Sequence, residues 1–378
     1  MSWEHVTRGN TTHLSLAEYF LFQDLIIKYS ESTKETQQTL PKQQGNMTIN
    51  LFPDIVIQQD LSPDAFGQDT DERCDEIVAA TKGLGANAGK VIENLGGTTA
   101  VQRYGIAKRF AERNEGKSLE KLIGSEFRGN LGTALRFLSV SPEEAECLMI
   151  KKATDGIGAS ANVLWSILCG RTNVEMELLK KTYFRLYTRD LGKLLASELH
   201  GDMERLIFNC LQAGEEVFDP QFHTMDKAVE DAAIIHAKGQ GRWGTEERGI
   251  FKVLCAAPPQ HVEQMNKVYA DKYGYTLIKA MEKELGGNVG EACGFMLGMK
   301  LRPYQTVAEL IKSACAGFGT DELLLSVTII RYQHIMQSVM SAHIELYNKT
   351  IHDRVRSECS GNFKKLLLAV LTAAWPEE

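Results

Sequence analysis

The sequence predicts an all-α protein assembled from four copies of one helical unit. Three observations carry that expectation. A block of the form E-x-x-G-[N/D] recurs four times, a glycine loop recurs four times, and the distance between the two hardly changes. The block stands at Glu126-Phe-Arg-Gly129-Asn130, Glu198-Leu-His-Gly201-Asp202, Glu284-Leu-Gly-Gly287-Asn288 and Glu358-Cys-Ser-Gly361-Asn362. The loop stands at Gly83-Leu-Gly85, Gly156-Ile-Gly158, Gly241-Arg-Trp-Gly244 and Gly317-Phe-Gly319. From the last loop glycine to the glutamate is 41, 40, 40 and 39 residues. Two sparse motifs that hold one separation four times mark internal repetition.

Each unit reads as helical. Cys74, Ile77, Val78 and Thr81 fall on one face of a helix, and Val307, Leu310, Ile311 and Ala314 repeat the spacing. Few segments alternate polar and apolar residues, so a sheet is not expected. The glycine loop should end one helix, because glycine adopts the left-handed cap readily. The E-x-x-G-[N/D] block should end a later helix at its glutamate and cap the next with Asn or Asp. The loops lie 73, 86 and 75 residues apart, and the long middle interval contains a turn-rich stretch from Gly214 to Thr224. The expected organisation is an N-terminal arm over 1–65, repeats over 66–139 and 140–213, a linker over 214–224, and repeats over 225–300 and 301–378.

Composition narrows the function. The chain has 378 residues, 43% hydrophobic and 24% charged, as a globular protein does. Its longest apolar run, Leu366 to Trp375, is far short of the roughly 20 residues a bilayer span needs. The start, Met1-Ser2-Trp3-Glu4-His5, has neither a secretory pattern nor a myristoylation glycine. A net charge of −7 repels phosphate backbones and anionic lipid heads, so any anionic partner needs a bridging cation or a local basic patch. No nucleic-acid partner is expected. Eight cysteines stand singly without a CxxC pair, which reads as buried thiols in a reducing compartment.

Enzyme motifs are absent or fail in context. There is no HExxH and no GxSxG. Gly83-Leu-Gly85-Ala86-Asn87-Ala88 and Gly239-Gln-Gly241-Arg-Trp-Gly244 fit the dinucleotide fingerprint, but charged amphipathic helices precede them where an apolar strand is needed. Gly89-Lys90 lacks the other residues of a phosphate loop. The two recurring motifs suit calcium better. Calcium takes six to eight oxygens, including backbone carbonyls and a bidentate carboxylate. A glycine loop can turn carbonyls outward, and a glutamate on a neighbouring helix end supplies two further oxygens. Positions left open would admit water or a lipid phosphate oxygen. A lone glycine loop is more often a plain connector and a lone Glu before Gly-Asn a solvated surface residue; four coupled copies favour the metal.

At these residues the sequence resembles the annexins. Their loop has the form K-G-x-G-T-D-E with an acidic residue about 40 positions on. Here it stands as Lys82-Gly-Leu-Gly85, Asp155-Gly-Ile-Gly158, Arg242-Trp-Gly-Thr-Glu-Glu247 and Ala316-Gly-Phe-Gly-Thr-Asp-Glu322. The resemblance covers roughly residues 66 to 378. It implies four repeats of about five helices each forming a curved superhelical disc, with calcium loops on the convex, membrane-facing side. By position it implies Ca²⁺ held by Thr81, Gly83 and Gly85 with Glu126; by Thr154, Gly156 and Gly158 with Glu198; by Gly239, Arg242 and Gly244 with Glu284; and by Cys315, Gly317 and Gly319 with Glu358. Trp243 would sit at the membrane-facing loop, or pack within its own repeat. A polar channel proposed for the family is only partly traceable here, through Glu146, Arg171 and Arg331.

The first two repeats depart from the family pattern. Ala86-Asn87-Ala88 and Ala159-Ser160-Ala161 replace T-D-E, which removes a cap and nearby negative charge, and Asn87 or Ser160 is expected to cap instead. Repeats three and four are expected to bind calcium more tightly. In the arm, Ser15-Leu-Ala-Glu18 reads as a capping box opening a short amphipathic helix. The resemblance implies an arm that regulates the core or recruits a cytoskeletal or small EF-hand protein; packing of Phe20, Leu25 and Ile26 on the core is the plainer reading. The function expected is calcium-dependent, reversible binding to anionic phospholipid membranes by a non-enzymatic cytoplasmic protein, monomeric in solution, with lateral assembly on membranes open. The alternative is an annexin-fold cytoskeletal or scaffold protein with weakened calcium sites.

Overall fold

The computed structural model describes residues 48–58, 69–83, 85–156, 158–239, 247–317 and 319–374. The chain divides into two units, Met1–Asn46 and Met47–Glu378, and all described residues belong to the second. The capping box expected at Ser15 and the apolar side chains of Phe20, Leu25 and Ile26 lie outside the described residues.

The described residues form helices and no strand, in keeping with the all-α expectation. A short helix α1 (Asp54–Gln58) precedes four quintets. The first comprises α2 (Thr70–Ala80), α3 (Ala88–Val91), α4 (Ala100–Arg113), α5 (Leu119–Glu126) and α6 (Gly129–Leu138). The second comprises α7 (Pro142–Ala153), α8 (Ala161–Leu168), α9 (Asn173–Tyr187), α10 (Leu191–Glu198) and α11 (Gly201–Leu211). The third comprises α12 (Met225–Gly239), α13 (Glu247–Ala256), α14 (Pro259–Tyr273), α15 (Leu277–Glu284) and α16 (Gly287–Leu301). The fourth comprises α17 (Pro303–Ala314), α18 (Glu322–Arg331), α19 (Met336–Tyr347), α20 (Ile351–Glu358) and α21 (Gly361–Ala374).

The same local signals end and start these helices in every quintet. Each third helix runs into a residue with positive φ: Glu115 (54°), Thr188 (49°), Gly274 (80°) and Asn348 (47°). Such a residue cannot continue a right-handed helix, so the chain turns there. Each fourth helix then opens on a side-chain cap. Ser118, Asp190, Thr276 and Thr350 accept from the backbone N–H three residues on. Caps of this kind contribute about 1 kcal/mol each. Every fourth helix is eight residues long and finishes at the recurring glutamate.

One expected cap is corrected. Asn130, Asp202 and Asn288 do not cap the fifth helices; they lie inside the first turn, and Arg128, His200 and Gly286 at the cap positions make no side-chain cap bond. The reversal is made by glycine backbone at Gly129 (φ 63°), Gly201 (65°), Gly287 (49°) and Gly361 (60°). In the first quintet α3 passes into a π-helical stretch, Ile92–Gly96. There Gly96 approaches α21 so closely that a β-carbon would sit 2.9 Å from Leu366 Cδ1 and 3.1 Å from Ala369.

Apolar residues from all four quintets merge into one core. A set of buried charges runs through it. Glu146 Oε1 accepts from Arg331 Nε at 2.8 Å, and Glu146 Oε2 from Arg171 Nη1 at 2.6 Å. All three side chains are at most 1% exposed. Arg331 also donates to the Ile167 carbonyl at 3.1 Å, and the Tyr332 hydroxyl to that of Ser166 at 3.0 Å. These bonds tie the second quintet to the fourth. Between the first and fourth, Gln333 donates to the carbonyls of Thr98 and Val370 at 3.1 Å each and accepts from Arg103 at 2.7 Å.

The end of the N-terminal arm is built into this core. Leu51 and Phe52 donate their backbone N–H groups to Glu175 Oε1 at 2.5 and 3.0 Å, and the Phe52 ring lies 5.4 Å from the Arg171 guanidinium. Thr48 donates to Glu215 at 2.9 Å, and Glu215 pairs with the buried Lys300 ammonium at 2.8 Å.

Removing one partner of a buried charge set leaves the others unpaired in a low dielectric. Glu146→Gln is expected to cost about 3–5 kcal/mol of stability. Denaturant unfolding of the two proteins side by side measures it; a loss below about 1 kcal/mol contradicts the role given to Glu146.

Candidate metal centres

The first and second helices of three quintets are joined by loops of one design. Helix α2 ends at Ala80 and α3 starts at Ala88; α7 ends at Ala153 and α8 starts at Ala161; α17 ends at Ala314 and α18 starts at Glu322. A single backbone bond closes each loop: Asn87 N–H to Ala80, Ser160 N–H to Ala153 and Asp321 N–H to Ala314, all at 2.8 Å. Inside stand the glycine pairs, all left-handed. Their φ values are 94° and 90° at Gly83 and Gly85, 106° and 85° at Gly156 and Gly158, and 91° and 99° at Gly317 and Gly319. A β-carbon on any of the six would meet nothing within 4 Å. Glycine is required by backbone conformation alone.

These glycines are exposed. Among the described residues, no backbone N–H points at the carbonyl oxygens of Thr81, Gly83, Gly85, Thr154, Gly156, Gly158, Cys315, Gly317 or Gly319. The hydroxyls of Thr81 and Thr154 are turned back to their own helices. They donate to Ile77 and Val78 at 2.9 and 3.1 Å, and to Ile150 and Lys151 at 3.1 Å each. Those two residues can therefore offer only a carbonyl outward.

Glu126, Glu198, Glu284 and Glu358 each occupy the last residue of a fourth helix. Glu126 and Glu358 are exposed, Glu198 and Glu284 half-buried. Among the described residues none of the four forms an ion pair.

In the fourth quintet, loop and glutamate demonstrably meet. Thr320 Oγ1 donates to the carbonyl oxygen of Glu358 at 3.3 Å. The Cys315 thiol is pushed up to about 11, by burial first and then by the charge of Glu358. In the first and second quintets Ala86 and Ala159 occupy the position of Thr320 and pack against the apolar core. They have no hydroxyl to make that bond. In the third, Gly239 is the last residue of α12, while Arg242, Gly244 and Trp243 lie outside the described residues.

Capping differs among the loops too. Asp321 accepts from Leu324 N–H at 2.9 Å and from the Asn162 side chain of the second quintet, also at 2.9 Å. Asn87 caps α3 by accepting from Lys90 N–H at 3.2 Å. Ser160, expected as a cap, makes no such bond. Asn162 instead accepts from the N–H of Val163 at 2.9 Å.

The donors each corner could offer are carbonyl oxygens and one carboxylate, a hard oxygen set that fits Ca²⁺ and not a soft metal. Among the described residues there is no group of three or more His, Cys, Asp or Glu side chains able to hold a metal ion. Sequence reasoning missed the Thr320 bridge. The signal was the threonine of the T-D-E phrase, read only as part of a cap.

A family model described as Annexin matches residues 144–209, 230–294 and 306–370, just over half of the chain. The chain belongs to the annexin family. Human annexin A13 is 31% identical over 311 residues, which cover 82% of this annexin and 97% of that relative. Annexin A7 of Dictyostelium discoideum is 28% identical over 294 residues, covering 78% of this chain and 63% of its own. A crystal structure of an annexin A8 point mutant superposes with a TM-score of 0.73 at 24% identity, over 81% of this annexin and 95% of that chain. The structure of calcium-bound annexin (Sm)1 superposes with a TM-score of 0.66 at 21% identity, over 82% and 92% of the two chains. The all-α repeat architecture of this protein is thus the annexin fold.

Because the loop glycines have open space but left-handed backbone, Gly317→Ala or Gly319→Ala should cost about 1–2 kcal/mol without displacing neighbours. Thermal unfolding tests this; a gain in stability would show that the loop does not hold the left-handed conformation.

Proposed function

We propose that this annexin binds anionic phospholipid membranes reversibly and only with calcium. Annexins as a family are calcium-dependent phospholipid-binding proteins, and no described helix here is long and apolar enough to cross a membrane. The observation that carries the reading is the fourth corner, where Thr320, next to the exposed left-handed Gly319, bonds to the main-chain carbonyl of Glu358. Cys315, Gly317 and Gly319 would offer carbonyl oxygens there and Glu358 its carboxylate. Thr81, Gly83, Gly85 with Glu126, and Thr154, Gly156, Gly158 with Glu198, would do the same at two further corners. Gly239, Arg242, Gly244 and Glu284 complete the assignment by sequence position.

The electrostatics explain why a metal is needed. A chain of net charge −7 is repelled by an anionic surface. A calcium ion held by an incomplete set of protein oxygens supplies positive charge and open coordination positions for lipid phosphate oxygen. The protein residues orient and partly neutralise it; they perform no bond chemistry. The reading is therefore of a binding protein rather than an enzyme, cytoplasmic, and peripheral to the membrane when calcium rises. Recruitment of a cytoskeletal or EF-hand partner through the N-terminal arm belongs to the same proposal.

A specific observation favours a graded version. Only the fourth loop is pinned to its glutamate by a side-chain bond among the described residues. The fourth corner is therefore expected to be the tighter one, with the Ala86 and Ala159 loops weaker. The rival reading, a cytoskeletal or scaffold protein with weakened calcium sites, takes the same departures further.

Sedimentation with phosphatidylserine vesicles across a calcium titration separates them. The protein should pellet with calcium and stay in solution in EGTA; equal pelleting in EGTA supports the scaffold. Glu358→Gln should raise the half-maximal calcium concentration roughly tenfold, as loss of a charged oxygen ligand does. Thr320→Ala, which removes one hydrogen bond of about 1 kcal/mol, should raise it several-fold. An unchanged calcium requirement in Glu358→Gln removes the site assignment.

A further inference from the structure

Four sulfur atoms lie in a row where the second quintet meets the third. Cys210 Sγ, on α11, is 3.8 Å from Cys169 Sγ and 3.7 Å from Cys255 Sγ, and Cys255 on α13 is 3.8 Å from Met296 Sδ on α16. All the cysteines are free thiols. Cys169 is fully buried, whereas Cys210 and Cys255 are half-buried and line a small cleft with Asn173, Glu215 and Lys300. The calcium reading uses none of these residues.

We propose that Cys210 and Cys255 form an oxidative modification site, at which a peroxide converts the two thiols to a disulfide joining the second repeat to the third. The sulfurs already touch at 3.7 Å, against a bonded distance of about 2.0 Å. Cys255 is the better first nucleophile. The Lys300 ammonium reaches the carbonyls of Leu254 at 3.2 Å and Ala257 at 2.6 Å, on either side of it, and favours its thiolate against the opposing charge of Glu215, with which Lys300 pairs. Cys210 is the partner in reach of the cleft. Cys169, though equally near, is sealed from it.

The step balances. The Cys255 thiolate attacks one peroxide oxygen; the O–O bond breaks, and the second oxygen leaves as water, or as an alcohol from an organic peroxide, after taking a proton. Cys255 is now a sulfenic acid. The Cys210 thiolate attacks its sulfur, the S–S bond forms, and hydroxide departs to become water. Two electrons have passed from the two sulfurs to the peroxide. The reaction is slow at neutral pH. The Cys255 thiol is held well above its ordinary range, by its hydrogen bond with Cys210 and by burial, so the thiolate fraction grows as pH rises. The site answers sustained oxidant rather than a brief pulse.

The test uses the full chain, treated with hydrogen peroxide, alkylated, digested without reductant and read by mass spectrometry. The expected product is a peptide pair linked through Cys210 and Cys255, reversed by dithiothreitol, and formed roughly a hundredfold faster near pH 9 than near pH 7. Cys169→Ser should keep the link. Oxidised protein should melt several degrees above reduced protein, because the staple closes a loop of 45 residues, and Cys255→Ser should lose that shift. Three results overturn the proposal: both cysteines alkylated in full after peroxide, Cys210 linked to Cys169 instead, or sulfinic acids without any link. Because the wild-type digest decides among these, a serine variant that fails to fold does not spare the proposal.

Discussion

The carboxylate of Glu146, held between two buried arginines, is the constraint on which the arrangement of repeats depends. One carboxylate serves Arg171 of its own quintet and Arg331 of the fourth. Desolvating a charge costs several kcal/mol, and only a partner at hydrogen-bonding distance offsets it. Apolar packing alone would tolerate small slides between helices. A three-charge set with fixed donors does not, so the second and fourth quintets are held in one register. The Gln333 bridge does the same between the first and fourth without a second charge.

Against that rigid interior, the loops are conformationally determined but sterically free. In the three described loops the glycines are left-handed with open space where a β-carbon would stand, and one backbone bond closes each. The core fixes where the helix ends stand; the loops add little to stability and much to the direction of their carbonyls. This division suits a metal corner. The backbone conformation is set in advance, and the described loop glycines stay exposed.

How much was legible in the sequence follows from the same division. The repeat, the all-α class and the helix ends were readable because they rest on local signals, namely glycine at positive φ, Ser, Thr or Asp caps, and helical periodicity. Fixed spacing between loop and glutamate was readable as well, since it counts residues. The Asn and Asp caps of the fifth helices misled, because glycine backbone made the turn without them. Ser160 misled likewise, with Asn162 serving the next N–H instead. The bond from Thr320 to Glu358 joins residues 38 apart, and no periodicity announces it. The sulfur row was hidden for the same reason: three cysteines about 40 residues apart meet only because successive helices pack.

Glu175 gives the N-terminal segment a meaning beyond that of a tail. This carboxylate closes the capping box of its helix through Thr172 and also receives the N–H groups of Leu51 and Phe52. It has no solvent contact. Residues 48–58 thus supply two backbone donors, Leu51 and Phe52, to a charge seated in the core. Proteolysis just after residue 58 would amputate two hydrogen-bond donors from the interior, leaving the Glu175 carboxylate with the Thr172 N–H of its own capping box.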